Sequence, residues 1–269
     1  MQLIDTHCHL DADAFAVNRA AVYEAAQASG VKEIWVPAVE VRNFHMVKIC
    51  CAQFGACRPA YGIHPIYSRT AGDNDIAVLQ RWLEAERPFA LGEIGLDGYV
   101  PGLDWERQTK LFQAQLALAR DIGLPVLLHL RRAIDPALHG LRNIYGKNSA
   151  GDCAGGVAHA FNGSQAQAEA LIGMGFKLGF GGAATFSGST RIRSLLANLP
   201  LDAIVLETDA PDMPPAWLHG ERNSPTQLPR IAEELAKVRG LTTGEFAAAT
   251  TANARMLLKQ EQHAGRDRV

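Results

Sequence analysis

Several features are missing from this 269-residue chain. It has no run of about 18 apolar residues, so no membrane span is expected. Its first residues, MQLIDTHCHL, lack the basic stretch and apolar core of a signal peptide. Cysteine is scarce: Cys8, Cys50, Cys51, Cys57 and Cys153 form an odd set without paired C-x-x-C spacing. That argues for reduced thiols over a disulfide framework and, with the missing signal, for a cytoplasmic location. Charge of one sign is not in excess. The 26 Lys+Arg and 28 Asp+Glu leave a net charge of -2, which speaks against a basic coat for duplex binding but leaves room for a local basic groove. No repeat, low-complexity tract or linker is visible. One domain over residues 1–269 is therefore expected, with a flexible tail from about 260 in the polar ending QEQHAGRDRV. The 48% hydrophobic content is ample for a core.

Short apolar runs alternate with helical stretches along the chain. Eight strands are predicted at Leu3–Thr6, Glu33–Val39, Ala60–Ile63, Phe89–Ile94, Pro125–Leu128, Gly156–Ala158, Phe176–Gly179 and Ala203–Glu207. Helices are predicted at Asn18–Ser29, Asn43–Phe54, Asp104–Ile122, Ser164–Met174 and Thr243–Leu258. Gly30, Gly55, Gly123 and Gly175 sit where a left-handed residue ends a helix. Asp73, Asp104 and Ser164 suit N-caps. Met46, Trp82, Phe112 and Phe246 fall at helical core positions. Strands that are apolar throughout fit a parallel sheet covered on both faces. Eight βα units in this length predict a (β/α)8 TIM barrel, with an open doubly wound sheet as the alternative.

In such a barrel, chemistry belongs at the C-terminal ends of the strands. Of nine histidines, His7, His9, His64, His129 and His159 stand at such ends, as do Glu93, Glu207 and Asp209. Residues i and i+2 of an extended chain face the same way, so His7 and His9 can grip one ion while Cys8 points away. Four imidazoles (His7, His9, His129, His159) and two carboxylates (Glu93, Asp209) exceed the three or four protein ligands of one catalytic zinc site. The surplus points to two divalent ions roughly 3.5–4 Å apart, with Glu93 placed to bridge them. Imidazole-rich sets favour Zn, Mn, Ni or Fe over Mg, and the element stays open.

The phrases IDTHCHLD, GIHP, GEIGLD, HAFNGS, ETDAP and RNSP, followed by NARMLL, resemble the successive signatures of the TatD family of metal-dependent hydrolases and deoxyribonucleases. HAFNGSQAQAEALI and FKLGFGG are most similar to its YjjV-type branch. The resemblance covers nearly the whole chain and implies an amidohydrolase-like TIM barrel. It implies that His7, His9, Glu93 and Asp209 hold one metal, and that Glu93, His129 and His159 hold the other. Family members are commonly described as magnesium-dependent. This chain departs from many relatives at Gly98-Tyr99, Leu130 and Ala160; the first two changes fall where substrate would sit.

The expected reaction is phosphodiester hydrolysis by a two-metal-activated water, most concretely as a deoxyribonuclease. Its substrate would be a nucleic acid or a small phosphodiester. Asp209 and Glu93 are the catalytic candidates together with His64, which is in surplus for two metals and is expected to touch phosphate or the leaving oxygen. Arg131 and Arg222 are candidate phosphate contacts; of the neighbours Arg131 and Arg132, one is expected to point outward as a solvated charge. Trp217 is read either as a base-stacking residue or as loop packing, and Glu207, one step deeper on Asp209's face, as a buried structural carboxylate in preference to a support for the metal ligands. Two other functions stay open: hydrolysis of an amide, ester or lactone of a small molecule, and a non-catalytic metal-stabilised binding protein. Oligomeric state is undetermined, and a monomer is compatible with the sequence.

Overall fold

The computed structural model describes residues 1–146 and 153–264. Eight parallel strands form one sheet in chain order. They are β1 (Leu3–Asp5), β2 (Val31–Pro37), β3 (Cys57–Tyr61), β4 (Ala90–Asp97), β5 (Val126–Arg131), β6 (Gly156–Ala158), β7 (Phe176–Phe180) and β8 (Ile204–Leu206). Between them run α1 (Arg19–Ser29), α2 (Phe44–Gln53), α3 (Asp75–Glu86), α4 (Trp105–Ile122), α5 (Ile134–Tyr145), α6 (Gln165–Gly173) and α7 (Thr190–Asn198); α8 (Leu228–Arg239) and α9 (Thr243–Ala264) follow. The protein is a TIM barrel. Among the described residues no helix is long and apolar enough to cross a membrane.

The ring closes just beyond the regular ends of β1 and β8. Thr6 N donates to Leu206 O at 3.0 Å, Asp209 N to His7 O at 2.8 Å and His9 N to Ala210 O at 2.8 Å. Asp5 reinforces the seam by accepting from Thr208 N at 2.9 Å and Thr208 Oγ1 at 2.6 Å. The bonds that close the barrel therefore also set Asp209 beside the His7-x-His9 pair.

Inside the ring, Ile4, Trp35, Ala60, Ala90, Leu127, Val157 and Val205 pack together and against Ala254 and Leu257 of α9. Thr251 Oγ1 and Asn253 Nδ2 tie α9 to Gln2 O and Ile204 O, at the starting ends of β1 and β8. The N-terminal mouth is thus plugged by α9, leaving the other mouth for polar groups.

Local signals explain most boundaries and a few misses. Asp104 caps α4 by accepting from Arg107 N at 3.0 Å. Ser164 caps α6 in a reciprocal box with Gln167. Gly30 and Gly123 take left-handed conformations at helix ends. Asp73 is not the cap of α3: Asn74 holds that position, and Gly72 N bonds Asp75 instead. Gly55 is not a left-handed stop, because extended Phe54 ends α2. Met46 is 41% exposed, since Phe44, Val47 and Cys50 already fill the buried stripe of α2. The final helix runs to Ala264, past the expected Leu258; residues 265–269 of the expected tail lie outside the described residues.

Strand β4 carries the decisive irregularity. Between Leu91 and Ile94 it holds one residue more than β5 does between Val126 and Leu128. That extra residue falls at Gly92-Glu93 and turns the Glu93 side chain into the mouth. Gly95, at φ 155°, lets β4 press on β5: a Cβ there would lie 1.9 Å from His129 O. Gly95→Ala is therefore expected to lose about 3 kcal/mol of stability, read as a lower urea midpoint at an unchanged slope.

Candidate metal centre

The polar side chains of the open mouth come from the ends of β1, β3, β4, β5, β6 and β8 or the residues just after them. Glu93 stands at the centre, 2% exposed. Its Oε2 lies 3.2 Å from His7 Nε2 and 3.6 Å from His9 Nε2. Its Oε1 lies 2.9 Å from His159 Nε2, 3.1 Å from His129 Nδ1 and 3.4 Å from His64 Nε2. Asp209 Oδ1 completes the first group, 3.7 Å from His7 Nε2 and 3.8 Å from His9 Nε2. The structure thus gathers all six expected ligand residues, with one oxygen of Glu93 facing each histidine group. His64 joins them on the Oε1 side.

The outer nitrogens decide what the inner ones can do. His9 Nδ1 lies 3.2 Å from Pro37 O, a pure acceptor, so it carries the proton. His9 Nε2 then presents a lone pair towards the carboxylates of Glu93 and Asp209. His129 Nε2 lies 3.0 Å from Asp97 Oδ2, which leaves Nδ1 to face Glu93 Oε1. Lone pairs confronting carboxylate oxygens at these distances repel unless a proton or a metal cation lies between them. His64 differs. Its Nδ1 accepts from Ile66 N at 3.2 Å, so its neutral ring carries the proton on Nε2 and acts as a donor towards the centre.

Electrostatics agree with a site built for cations. Burial alone would raise the pKa of Glu93, but His64, His159 and His7 around it hold it well below the usual carboxylate range. Burial pushes Glu207 up to about 8 and raises Asp209, so added negative charge is disfavoured without a compensating cation. For His159, burial is outweighed by the Glu93 carboxylate, and its pKa rises to about 10. Burial lowers His7 to about 3 and His64 to about 4, which keeps both neutral. Among the described residues, buried His7 Nδ1, His159 Nδ1 and Glu207 Oε2 have no hydrogen-bond partner. Three overlapping groups can converge on an ion: His7, His9 and Glu93; His7, His159 and Asp209; and His64, Glu93 and His129. The donor set of imidazoles and carboxylates thus fits divalent metal.

The supporting residues follow from the strands. Glu207 Oε1 accepts from Ala160 N at 2.5 Å and lies 4.0 Å from His159 Nδ1, consistent with its expected structural place. Asp97, the last residue of the GEIGLD phrase, was given no role by the sequence. Its Oδ2 holds His129, while its Oδ1 accepts from Tyr99 N at 2.7 Å and Val100 N at 2.8 Å. The available signal was spacing: residues 93, 95 and 97 alternate along β4, and Gly95 pairs with His129.

The candidate substrate contacts are more dispersed. Arg131 is exposed, its guanidinium 3.7 Å from the centre of the Tyr99 ring. Arg222 lies over Phe15 at 4.7 Å and donates to Ala14 O and Asn18 Oδ1, joining the loop after β8 to the loop after β1. Trp217 packs within its loop, donating to Gln227 Oε1 at 2.8 Å beneath Arg230.

Residues 4–259 match the family model described as TatD related DNase. The chain belongs to the TatD family. With that family it is a metal-dependent hydrolase. A metal-dependent hydrolase of Escherichia coli (strain K12), YjjV, is 38% identical over 256 residues, covering 94% of this chain and 96% of that protein. The crystal structure of E. coli YjjV superimposes with a TM-score of 0.88 at 36% identity, covering 95% of this chain and 97% of the other. The protein of Pantoea vagans named 3'-5' ssDNA/RNA exonuclease TatD is 31% identical over 270 residues, covering 96% of this chain and 99% of its own.

Two outcomes follow for this TatD protein. Chelation is expected to lower its melting temperature by about 5–10 °C, and Mn or Zn at about 100 times Kd to restore it, as read by differential scanning fluorimetry. Asp97→Asn keeps an oxygen for the Tyr99 and Val100 amides but removes the charge on His129. It is expected to weaken divalent-metal affinity about 10- to 100-fold in competition titrations, with the fold retained.

Proposed function

We propose that the protein is a phosphodiesterase, a deoxyribonuclease by preference, that uses a water activated between two divalent ions. The observation that carries this reading is the placement of Glu93, with one carboxylate oxygen towards each histidine group. His7, His9, Glu93 and Asp209 would hold one ion; Glu93, His129 and His159 would hold the other. When bound, such ions supply positive charge against the phosphoryl oxygens and make water acidic enough to ionise near neutrality. The family description and the nuclease name of the P. vagans relative support a nucleic-acid substrate.

The chain's own groups then divide the work. Asp209, raised in pKa by burial, is poised to take a proton from the attacking water through a carboxylate oxygen. His64 remains neutral because burial disfavours its imidazolium, and its Nε2–H donates to a phosphate or leaving oxygen arriving beside Glu93. Ile66 N fixes that tautomer. Arg131 supplies guanidinium N–H donors at the edge of the mouth.

Hydrolysis of single-stranded DNA and of bis(p-nitrophenyl) phosphate, with Mn, Zn or Mg, tests the reading. Turnover of amide or lactone substrates alone would overturn it. Glu93→Gln, which loses the charge but keeps the shape, is expected to reduce kcat about 1,000-fold or more while the chain stays folded by circular dichroism. His64→Asn should retain metal binding and lose about 100-fold in kcat, as suits a donor to the reacting group.

A further inference from the structure

Three residues outside the metal centre form a second polar surface on the same mouth. Asp97 holds His129 with one oxygen and the amides of Tyr99 and Val100 with the other, so the Tyr99 loop is tied to the centre. Across the β4–β5 pairing, Arg131 and Arg132 bring their guanidiniums to 3.7 and 4.7 Å from the Tyr99 ring centre. Tyr99 is 48% exposed, and both arginines are exposed. Gly98 permits this approach, because a Cβ there would meet Arg132 O at 2.9 Å. Arg132 itself adopts φ 53°, a conformation rarely taken by a long side chain, which fixes the turn that presents it.

Among the described residues, neither guanidinium enters an ion pair. Arginines stacked on a ring but unpaired keep their N–H donors free for a phosphodiester and offer a flat face to a base. Four further exposed apolar side chains, Ile66, Trp105, Phe186 and Met213, stand in or at the end of loops on the same mouth. An apolar and aromatic rim suits unpaired bases, whereas a duplex presents mainly its phosphates.

We propose that Tyr99, Arg131 and Arg132 form a nucleotide-holding platform, next to the reacting centre, that selects single-stranded nucleic acid. This rests on the nuclease reading above. The platform takes the base and phosphate adjoining the scissile bond, outside the buried histidine cluster. Binding energy gathered there favours a strand over a small phosphodiester.

The test compares the metal-loaded wild type with Tyr99→Ala, Arg131→Ala/Arg132→Ala and Arg131→Lys/Arg132→Lys. Binding of a phosphorothioate oligothymidylate is read by fluorescence anisotropy at several salt concentrations; kcat/KM is read on an oligothymidylate and on bis(p-nitrophenyl) phosphate. The alanine pair is expected to bind about ten-fold more weakly, with a salt slope shallower by about 0.7 per lost contact. The ratio of oligonucleotide to small-diester kcat/KM should fall about ten-fold in it and in Tyr99→Ala. The lysine pair should recover the salt slope but not the ratio, since lysine lacks the stacking plane. An unchanged ratio in variants of an active wild-type nuclease overturns the platform alone. Equal losses on both substrates also overturn it, because the residues would then support the centre and not the strand. A wild type that cuts the small diester but neither binds nor cuts the oligonucleotide overturns the nuclease reading and the platform with it.

Discussion

A carboxylate as buried as that of Glu93 costs several kcal/mol unless positive charge meets it. Five imidazoles from four other strand ends crowd this one side chain, and the fold is arranged to bring them there. The extra residue in β4 turns Glu93 inward. The hydrogen bonds that shut the ring at β1 and β8 carry His7, His9 and Asp209 to one side of it. His129 and His159 reach the other side from neighbouring strands. The barrel interior below is apolar and plugged by α9, so charge has one exit, the open mouth.

Geometry alone would leave five similar histidines. Their outer nitrogens separate them. Pro37 O and Asp97 accept hydrogen bonds from His9 and His129, which turns their inner nitrogens into lone-pair donors suited to a cation. Ile66 N donates to His64, which reverses that ring and makes its inner nitrogen a proton donor suited to an oxygen of the substrate. A backbone carbonyl, a carboxylate and a backbone amide thus sort chemically identical side chains into different tasks.

This sorting also marks how far the sequence could be read. The eight strands and the gathering of histidines at their ends were legible, because buried parallel strands are apolar throughout and a polar residue at a strand end stands out. The i, i+2 spacing of His7 and His9 spoke directly of one shared face. Asp97 was visible but mute, since its meaning depends on the register that sets Gly95 against His129. The tautomer of His64 depends on a bond made only after the chain turns at Pro65. Met46 misled because α2 needs only a narrow buried stripe, already filled by Phe44, Val47 and Cys50. The stacking of Arg131 on Tyr99 joins the end of β5 to the loop after β4, and no local pattern announces it.

Backbone strain gathers mainly at the mouth, although Arg87, at the end of α3, also holds positive φ. Arg132, Ala160, Asp209 and Met213 all hold positive φ without being glycine, and all lie in loops after β5, β6 or β8. Such conformations cost roughly 1–3 kcal/mol each and persist only where the surroundings over-determine them. Here the surroundings are identifiable. Asp209 N is bonded to His7 O across the barrel seam. Ala160 N is bonded to buried Glu207. The Arg131–Arg132 turn is pressed onto Gly98 by the β4–β5 pairing. A less rigid barrel would let these loops relax, and Asp209 and His159 would then drift from Glu93. The stability of the apolar interior is therefore what holds the polar mouth in a geometry it would not adopt on its own.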